Sequence, residues 1–162
     1  MEQGMFKKIL ILVLIIAALV VGAYLIANQF GSKIDSPQGS AADGVKIEQV
    51  DLVNTLTPQE RLPKGFPSDV PVETASVTQS FSADYNERNV KQSSLTYLSE
   101  KSFDEKYQEY KTFMDRNDYT YKESGPNLTV RALSGKKNNA DLVVVVSDKG
   151  DKVQVQISYV ER

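Results

Sequence analysis

The hydrophobic pattern of this chain changes period twice. From Ile9 to Ala27 it has no period: ILILVLIIAALVVGAYLIA is apolar almost throughout, and no charge falls between Lys8 and Lys33. At about 1.5 Å per residue such a run, as a helix, reaches roughly 28 Å, the depth of a hydrocarbon core. It is longer than the roughly 7 to 15 apolar residues of a cleaved signal peptide. A helix apolar on every side also asks for more cover than a small soluble domain supplies. The expectation is an uncleaved transmembrane helix over residues 9–28, with Tyr24 at the interface near its outer end. Lys7 and Lys8 abut the inner end, whereas Lys33 and Lys46 stand farther out beside Asp35 and Asp43. The positive-inside rule then puts residues 1–8 in the cytoplasm and the rest of the chain outside it.

The second stretch has little pattern. Residues 31–44, GSKIDSPQGSAADG, read as a flexible tether. Ile47, Val50, Val53 and Leu56 then recur every third position, compatible with a short helix or an irregular strand docking on the folded domain, so residues 29–61 form a spacer with a docking segment. Thr57, Pro58 and Glu60 hold the ingredients of a capping box and one helical turn. Pro63, Pro67 and Pro71 each restrict their own backbone and that of the residue before, which predicts an extended segment without strand pairing.

Beyond Glu73 the period becomes two. Val77, Phe81 and Tyr85 mark one side of a first strand, Leu95 and Tyr97 a second, with a polar turn over residues 86–89. The spacing then lengthens: Phe103, Tyr107, Tyr110, Phe113 and Met114 form one helical stripe, opened by Ser102 and Glu105 as a capping box and closed at Asn117 and Asp118. Strands follow over residues 119–122, 128–133, 141–147 and 152–160, the first two split by Gly125 and Pro126. Val153, Val155, Ile157 and Tyr159 alternate with Gln154, Gln156 and Ser158, the mark of an antiparallel sheet covered on one side. Leu142 to Val146 is apolar at every position, which predicts a strand covered on both faces, with residues 47–56 as the second cover. The expected fold class is α+β: one helix packed on a mostly antiparallel sheet, in the order β-β-α-β-β-β-β, over residues 62–162.

The run LPKGFPSDVPV, followed by a hairpin, one helix and C-terminal strands, resembles a loose group of uncharacterised bacterial membrane-anchored or lipoprotein-type surface proteins across residues 62–162. That resemblance implies an envelope location and transfers no catalytic or binding residue. Gly4 ahead of an apolar helix invites comparison with type IV prepilins, but Ile9 stands where those proteins carry a Glu.

Composition narrows the chemistry. Cysteine and histidine are both absent, which removes thiolate nucleophiles, disulfides, an acylated lipoprotein cysteine, the usual general base and the commonest neutral metal ligand. Residues 29–162 carry 17 Lys and Arg against 20 Asp and Glu, a net charge of −3, unsuited to nucleic acid.

The remaining motifs have ordinary explanations. Ser134 to Lys137 matches S-x-x-K, in which Lys activates Ser for acyl transfer, but it reads as a polar turn between strands and lacks the partner motifs. Asp115, Asn117 and Asp118 start like a calcium loop, yet Tyr119 and Tyr121 occupy ligand positions and the required Gly is missing. Asp148 and Asp151 bracket a Lys-Gly turn that favours such residues anyway. Asp104, Glu105 and Glu109 could pair as glycosidase acids, but they read as the solvated face of the helix. Asn127 to Thr129 is a glycosylation sequon, meaningful only on a eukaryotic secretory route. Neither a Gly-rich phosphate loop nor a metal or cofactor site is expected.

The sequence therefore points to a membrane-tethered extracytoplasmic interaction module without catalytic activity, engaging another envelope protein or a cell-wall component. The alternative is a small-ligand sensing or carrier domain with a Tyr-lined pocket under the helix. Exposed aromatics flanking Gln154, Gln156 and Ser158 would favour the first; an internal cavity would favour the second.

Overall fold

The computed structural model describes residues 45–86, 89–124 and 129–162, all within the compact unit Ser40–Arg162. The expected transmembrane helix at 9–28, the tether at 31–44, the Gly125-Pro126 turn and most of the sequon lie outside the described residues. Among the described residues no helix is long and apolar enough to cross a membrane.

Seven strands and one α-helix make an α+β fold: β1 (Val45–Gln49), β2 (Val77–Tyr85), β3 (Val90–Ser99), α1 (Phe103–Arg116), β4 (Thr120–Ser124), β5 (Val130–Lys137), β6 (Ala140–Asp148) and β7 (Val153–Glu161). Every strand pairing is antiparallel, in the order β1-β2-β3-β7-β6-β5-β4. Two meanders, β1-β2-β3 and β4-β5-β6-β7, meet where β3 pairs with β7, and α1 carries the chain from the centre of the sheet to its far edge. The docking segment left undecided by the sequence is β1, an edge strand beside β2, with Ile47 58% exposed.

The helix forms as its caps require. Ser102 Oγ accepts from the Glu105 amide and the Glu105 carboxylate accepts from the Ser102 amide. At the other end Asp118 takes φ +57, and the Tyr119 amide reaches back to the Met114 carbonyl at 3.0 Å, a Schellman closure. The Tyr119 ring packs on Phe113, with centroids 6.1 Å apart. The apolar stripe turns inward as its spacing predicts: Tyr107, Tyr110, Phe113 and Met114 are buried with Leu95, Tyr97, Leu133, Leu142, Val144, Val146, Val155 and Ile157.

Three expectations are corrected. The proline segment is coiled into turns rather than extended: Phe66 N–H donates to the Pro63 carbonyl and Val70 N–H to that of Pro67. The residues restricted by a following proline, Phe66 and Val70, sit at the ends of those turns, so the central residues stay free to bend. Gly65, at φ +78, supplies the one conformation there that favours glycine. Phe66 and Val70 are thereby delivered to the core as part of the cover on the helix side of the sheet.

Val77 does not share a face with Phe81 and Tyr85. A bulge between Val77 and Gln79 inserts one residue into β2, so Val77 points inward at 6% exposure while Phe81 turns to the opposite face. The second cover expected for Leu142 to Val146 is absent among the described residues. Residues 47–49 lie within β1, Val50 N–H still donates to the Ser80 carbonyl of β2, Leu52 packs on the inner face, and Val143 and Val145 remain only half-buried on the outer one.

Candidate functional site

The chemistry under the helix centres on a residue that no sequence motif marks. Lys106 lies on the inner stripe between Phe103 and Tyr110, and its side chain is wholly buried. Its ammonium meets Glu109 Oε2 at 2.8 Å and Glu73 Oε1 at 3.2 Å, and stands 5.0 and 5.3 Å from the ring centroids of Tyr97 and Tyr110. The two phenol oxygens are 2.6 Å apart, and Tyr110 donates to the Pro71 carbonyl at 2.5 Å. Ser99 Oγ donates to Glu73 at 2.7 Å. Helix, central strand and the turn segment are thus pinned at one point. Glu109, expected on the solvated face, is half-buried here with Lys101 as a second partner. A long polar side chain can run its stem along an apolar stripe and place its charge at the rim, and a lysine inside the stripe was the available signal.

These groups are held in protonation states that suit structure. Burial would lower the Lys106 pKa, but hydrogen bonds with Glu109 and Tyr97 outweigh it and the value is raised. A lysine acting as base or amine nucleophile needs the opposite shift. Burial also raises Tyr97 and, much further, Tyr110. Tyr107 is raised by burial and by its 2.5 Å hydrogen bond to Glu123. All three phenols stay neutral, and the rings of Tyr97 and Tyr110, with no exposed surface, fill the space beneath the helix.

Two open clefts flank this core. One, of about 460 Å³, runs beside α1 between Asp69, Pro71, Glu109, Thr112 and Phe113. The other, of about 220 Å³, lies at the β1-β2-β3 end, where Lys46, Lys64 and Lys91 face Glu48, Asp84 and Glu161. The second cleft is balanced in charge, and in the first Arg116 faces Asp69 while Glu109 is already paired with Lys101 and Lys106, so neither presents a sign that selects an ionic ligand.

The sequence motifs are scattered. Ser134 to Lys137 is part of β5, paired residue by residue with β6, which corrects the expected turn. Three residues apart on a strand, Ser134 and Lys137 point to opposite faces, so Lys cannot activate Ser. Asp115 accepts from Tyr121 at 2.9 Å and Asn117 donates to the Phe113 carbonyl, closing the helix. Asp148 accepts from the Gly150 amide at 2.9 Å in its hairpin turn. Asp104 pairs with Arg131 at 2.8 Å; Glu105 serves the helix cap. Among the described residues, no three acidic, His or Cys side chains gather around a common point that could hold a metal ion.

The outer face of the sheet is continuous and partly closed: Ala83, Gln92, Ser94 and Thr96 on it are buried, and Phe81, Val143, Val145 and the β7 amides are partly exposed. The register places Phe81 and Ala83 of β2, Gln92, Ser94 and Thr96 of β3, Gln154, Gln156 and Ser158 of β7, and Val143 and Val145 of β6 on it. Its polar groups are tied flat: Gln92 Nε2 donates to Ser94 Oγ at 3.1 Å and Ser158 Oγ at 3.0 Å, and Tyr85 donates to Gln92 Oε1 at 3.3 Å. Aromatic Phe81 and Tyr85 lie to one side of the β7 amides and the valines of β6 to the other. Charge appears only at the margin, in Lys122, Lys136 and Asp141, the last bonded to Arg162. Comparison with known protein families, curated proteins and solved structures finds no match to this chain.

Proposed function

We propose that this chain is a membrane-tethered extracytoplasmic interaction module without catalytic activity, whose partly exposed outer sheet face engages another envelope protein or a cell-wall component. Residues 9–28 anchor it as a single-pass transmembrane helix, with residues 1–8 cytoplasmic and residues 29–44 giving the domain reach. The carrying observation is the uncharged outer face from β2 to β6, where half-buried Phe81, Val143 and Val145 flank the partly exposed Gln154, Gln156 and Ser158 of β7. Apolar groups rimmed by polar ones, on a rigid sheet, are the composition of a protein contact surface. The protonation states of Lys106, Tyr97 and Tyr110 support a structural role for the buried polar cluster.

The test is affinity capture from solubilised membranes with the full chain and its V143E/V145E variant as baits. The expected result is an envelope component recovered with the parent and lost with the variant. Equal recovery by both, or none with the parent, refutes the docking face. Protease treatment of intact cells tests topology: a protected domain reverses it.

A further inference from the structure

We infer that the free edge of β1 pairs with β1 of a second copy of this chain, antiparallel and centred on Ile47, joining the two sheets into one. The surface is the edge of the sheet rather than its outer face, so this inference and the docking reading above stand or fall separately. Hydrogen bonding is the first argument. The Val50 N–H donates to the Ser80 carbonyl at 2.9 Å, one step beyond the pair Gln49↔Phe81. In an antiparallel ladder every second residue turns its N–H and C=O to the same neighbour. Lys46 and Glu48 therefore bond to β2, while Val45, Ile47 and Gln49 aim their backbone groups at the edge, where no strand among the described residues lies.

Natural edges are commonly guarded by proline, a bulge or a lysine. β1 has no proline, and its register runs unbroken from Val45 to Gln49. Its one lysine, Lys46, is neutralised by Glu48 at 2.5 Å. At the centre of the strand Ile47 stands 58% exposed, an apolar side chain that pairing would cover.

Charge selects the partner and the register. With Ile47 opposite Ile47 of the second copy, Val45 of each copy also exchanges hydrogen bonds with Gln49 of the other. Lys46 then lies opposite Glu48 of the second copy, in a pair whose Cα atoms are about 4.5 Å apart. The neighbouring registers that keep the same backbone groups paired fail: one sets Lys46 against Lys46, the other Glu48 against Glu48. Across the junction Asp84 of β2, Lys46 of β1 and Glu48 of the second copy fall in one row of alternating sign. A strand of unrelated sequence meets this pattern only by chance, whereas an inverted copy meets it by symmetry. The contact is far smaller than the roughly 800 Å² per partner of a standard interface. It therefore forms between chains held close together, as tethered copies are in the proposed function.

The native absence of cysteine makes the test direct. Ile47→Cys in the full chain, treated in intact cells with a membrane-permeant thiol oxidant, sets two thiols across the axis at a Cα separation of about 5.5 Å, within disulfide range. Val53→Cys, 46% exposed and beyond the end of the strand, is the control. The disulfide-linked dimer of the Ile47→Cys chain should exceed that of the Val53→Cys chain by about ten-fold. Adding either Glu48→Lys or Lys46→Glu to Ile47→Cys sets like charges across the axis and should return the yield to the control level. Co-expressing those two chains with different tags brings unlike charges together again, and should restore the disulfide between unlike tags only. Restoration also shows that both variants fold. Equal yields from the two thiols, a yield unchanged by Glu48→Lys, or no restoration in the mixture overturns the inference. Disulfides formed by the Ile47→Cys chain only with other proteins overturn it as well, and leave the docking face untouched.

Discussion

Replacing Lys106 by Met keeps the stem in the stripe and deletes the charge, which isolates what the ammonium contributes. Two charge-assisted hydrogen bonds are lost, each about 1.5–3 kcal/mol when fully buried, with two ring contacts of about 0.5–1 kcal/mol each. Two effects oppose this. Glu73 and Glu109 are 34% and 29% exposed, so water takes over part of what the lysine gave them. The ammonium itself, wholly buried, no longer has to be stripped of water, a saving of several kcal/mol. The balance is a net loss of about 2 kcal/mol, which for a unit of this size lowers Tm by about 8 °C. Thermal unfolding by circular dichroism at pH 7 measures it. Glu73→Gln and Glu109→Gln added to Lys106→Met should recover most of the loss, because no orphaned charge remains. A Lys106→Met variant as stable as the parent, with no recovery in the triple variant, would refute the clasp.

Gly135→Ala puts a Cβ 3.1 Å from Met114 Sδ and 3.2 Å from Tyr119 Cδ1; the close approach of α1 to β5 should make it about 1–2 kcal/mol less stable by denaturant titration. Asp118→Gly relieves a left-handed residue at the end of α1 and should raise stability by about 0.5–1 kcal/mol in the same assay. In alkali, Lys106 held above 10.5 and Tyr97 and Tyr110 held above 10.0 contribute stability that is complete below those values and lost as pH rises past them. Tyrosinate absorbance should therefore show the buried phenols ionising together with unfolding; ionisation without unfolding would refute their burial.

Periodicity read the frame well because local spacing and tertiary contact agree there. Ser102, Glu105 and the stripe from Phe103 to Met114 determine α1 by themselves, and the alternation in β7 names its inner face. The failures occur where one residue changes the phase. The β2 bulge moves Val77 to the face opposite Phe81, and no count by twos can detect an inserted residue without the partner strand. The prolines constrain their neighbours but leave the residues between them free, so the composition of segment 63–71 fits a coil of turns as well as an extended run. Ser134 to Lys137 is polar enough for a turn, and only its pairing with residues 140–143 makes it a strand. Lys106 was legible as a charge inside an apolar stripe; its partners were not, since Glu73 comes from a distant segment.

In the proposed function, the tether and the outer sheet face depend on each other energetically. Phe81, Val143 and Val145 are already half-buried, so covering what remains of each is worth only about 0.5 kcal/mol, or roughly 1.5 kcal/mol for the three. Association from free solution costs about 4–15 kcal/mol, and the amides of β7, already hydrated, return little net energy when they pair. A face of this composition therefore holds its partner weakly when both are free. In the proposed function, confinement of the anchored chain and its envelope partner to one membrane changes the balance, because a short flexible linker would keep the two at an effective concentration on the order of millimolar. On this reading, lengthening the spacer at residues 31–44 with Gly-Ser repeats should progressively lower the yield of cross-links between a Gln156→Cys chain and its envelope partner in intact membranes, without altering the melting of the domain. A cross-link yield indifferent to spacer length would mean that the face holds its partner without help from the anchor.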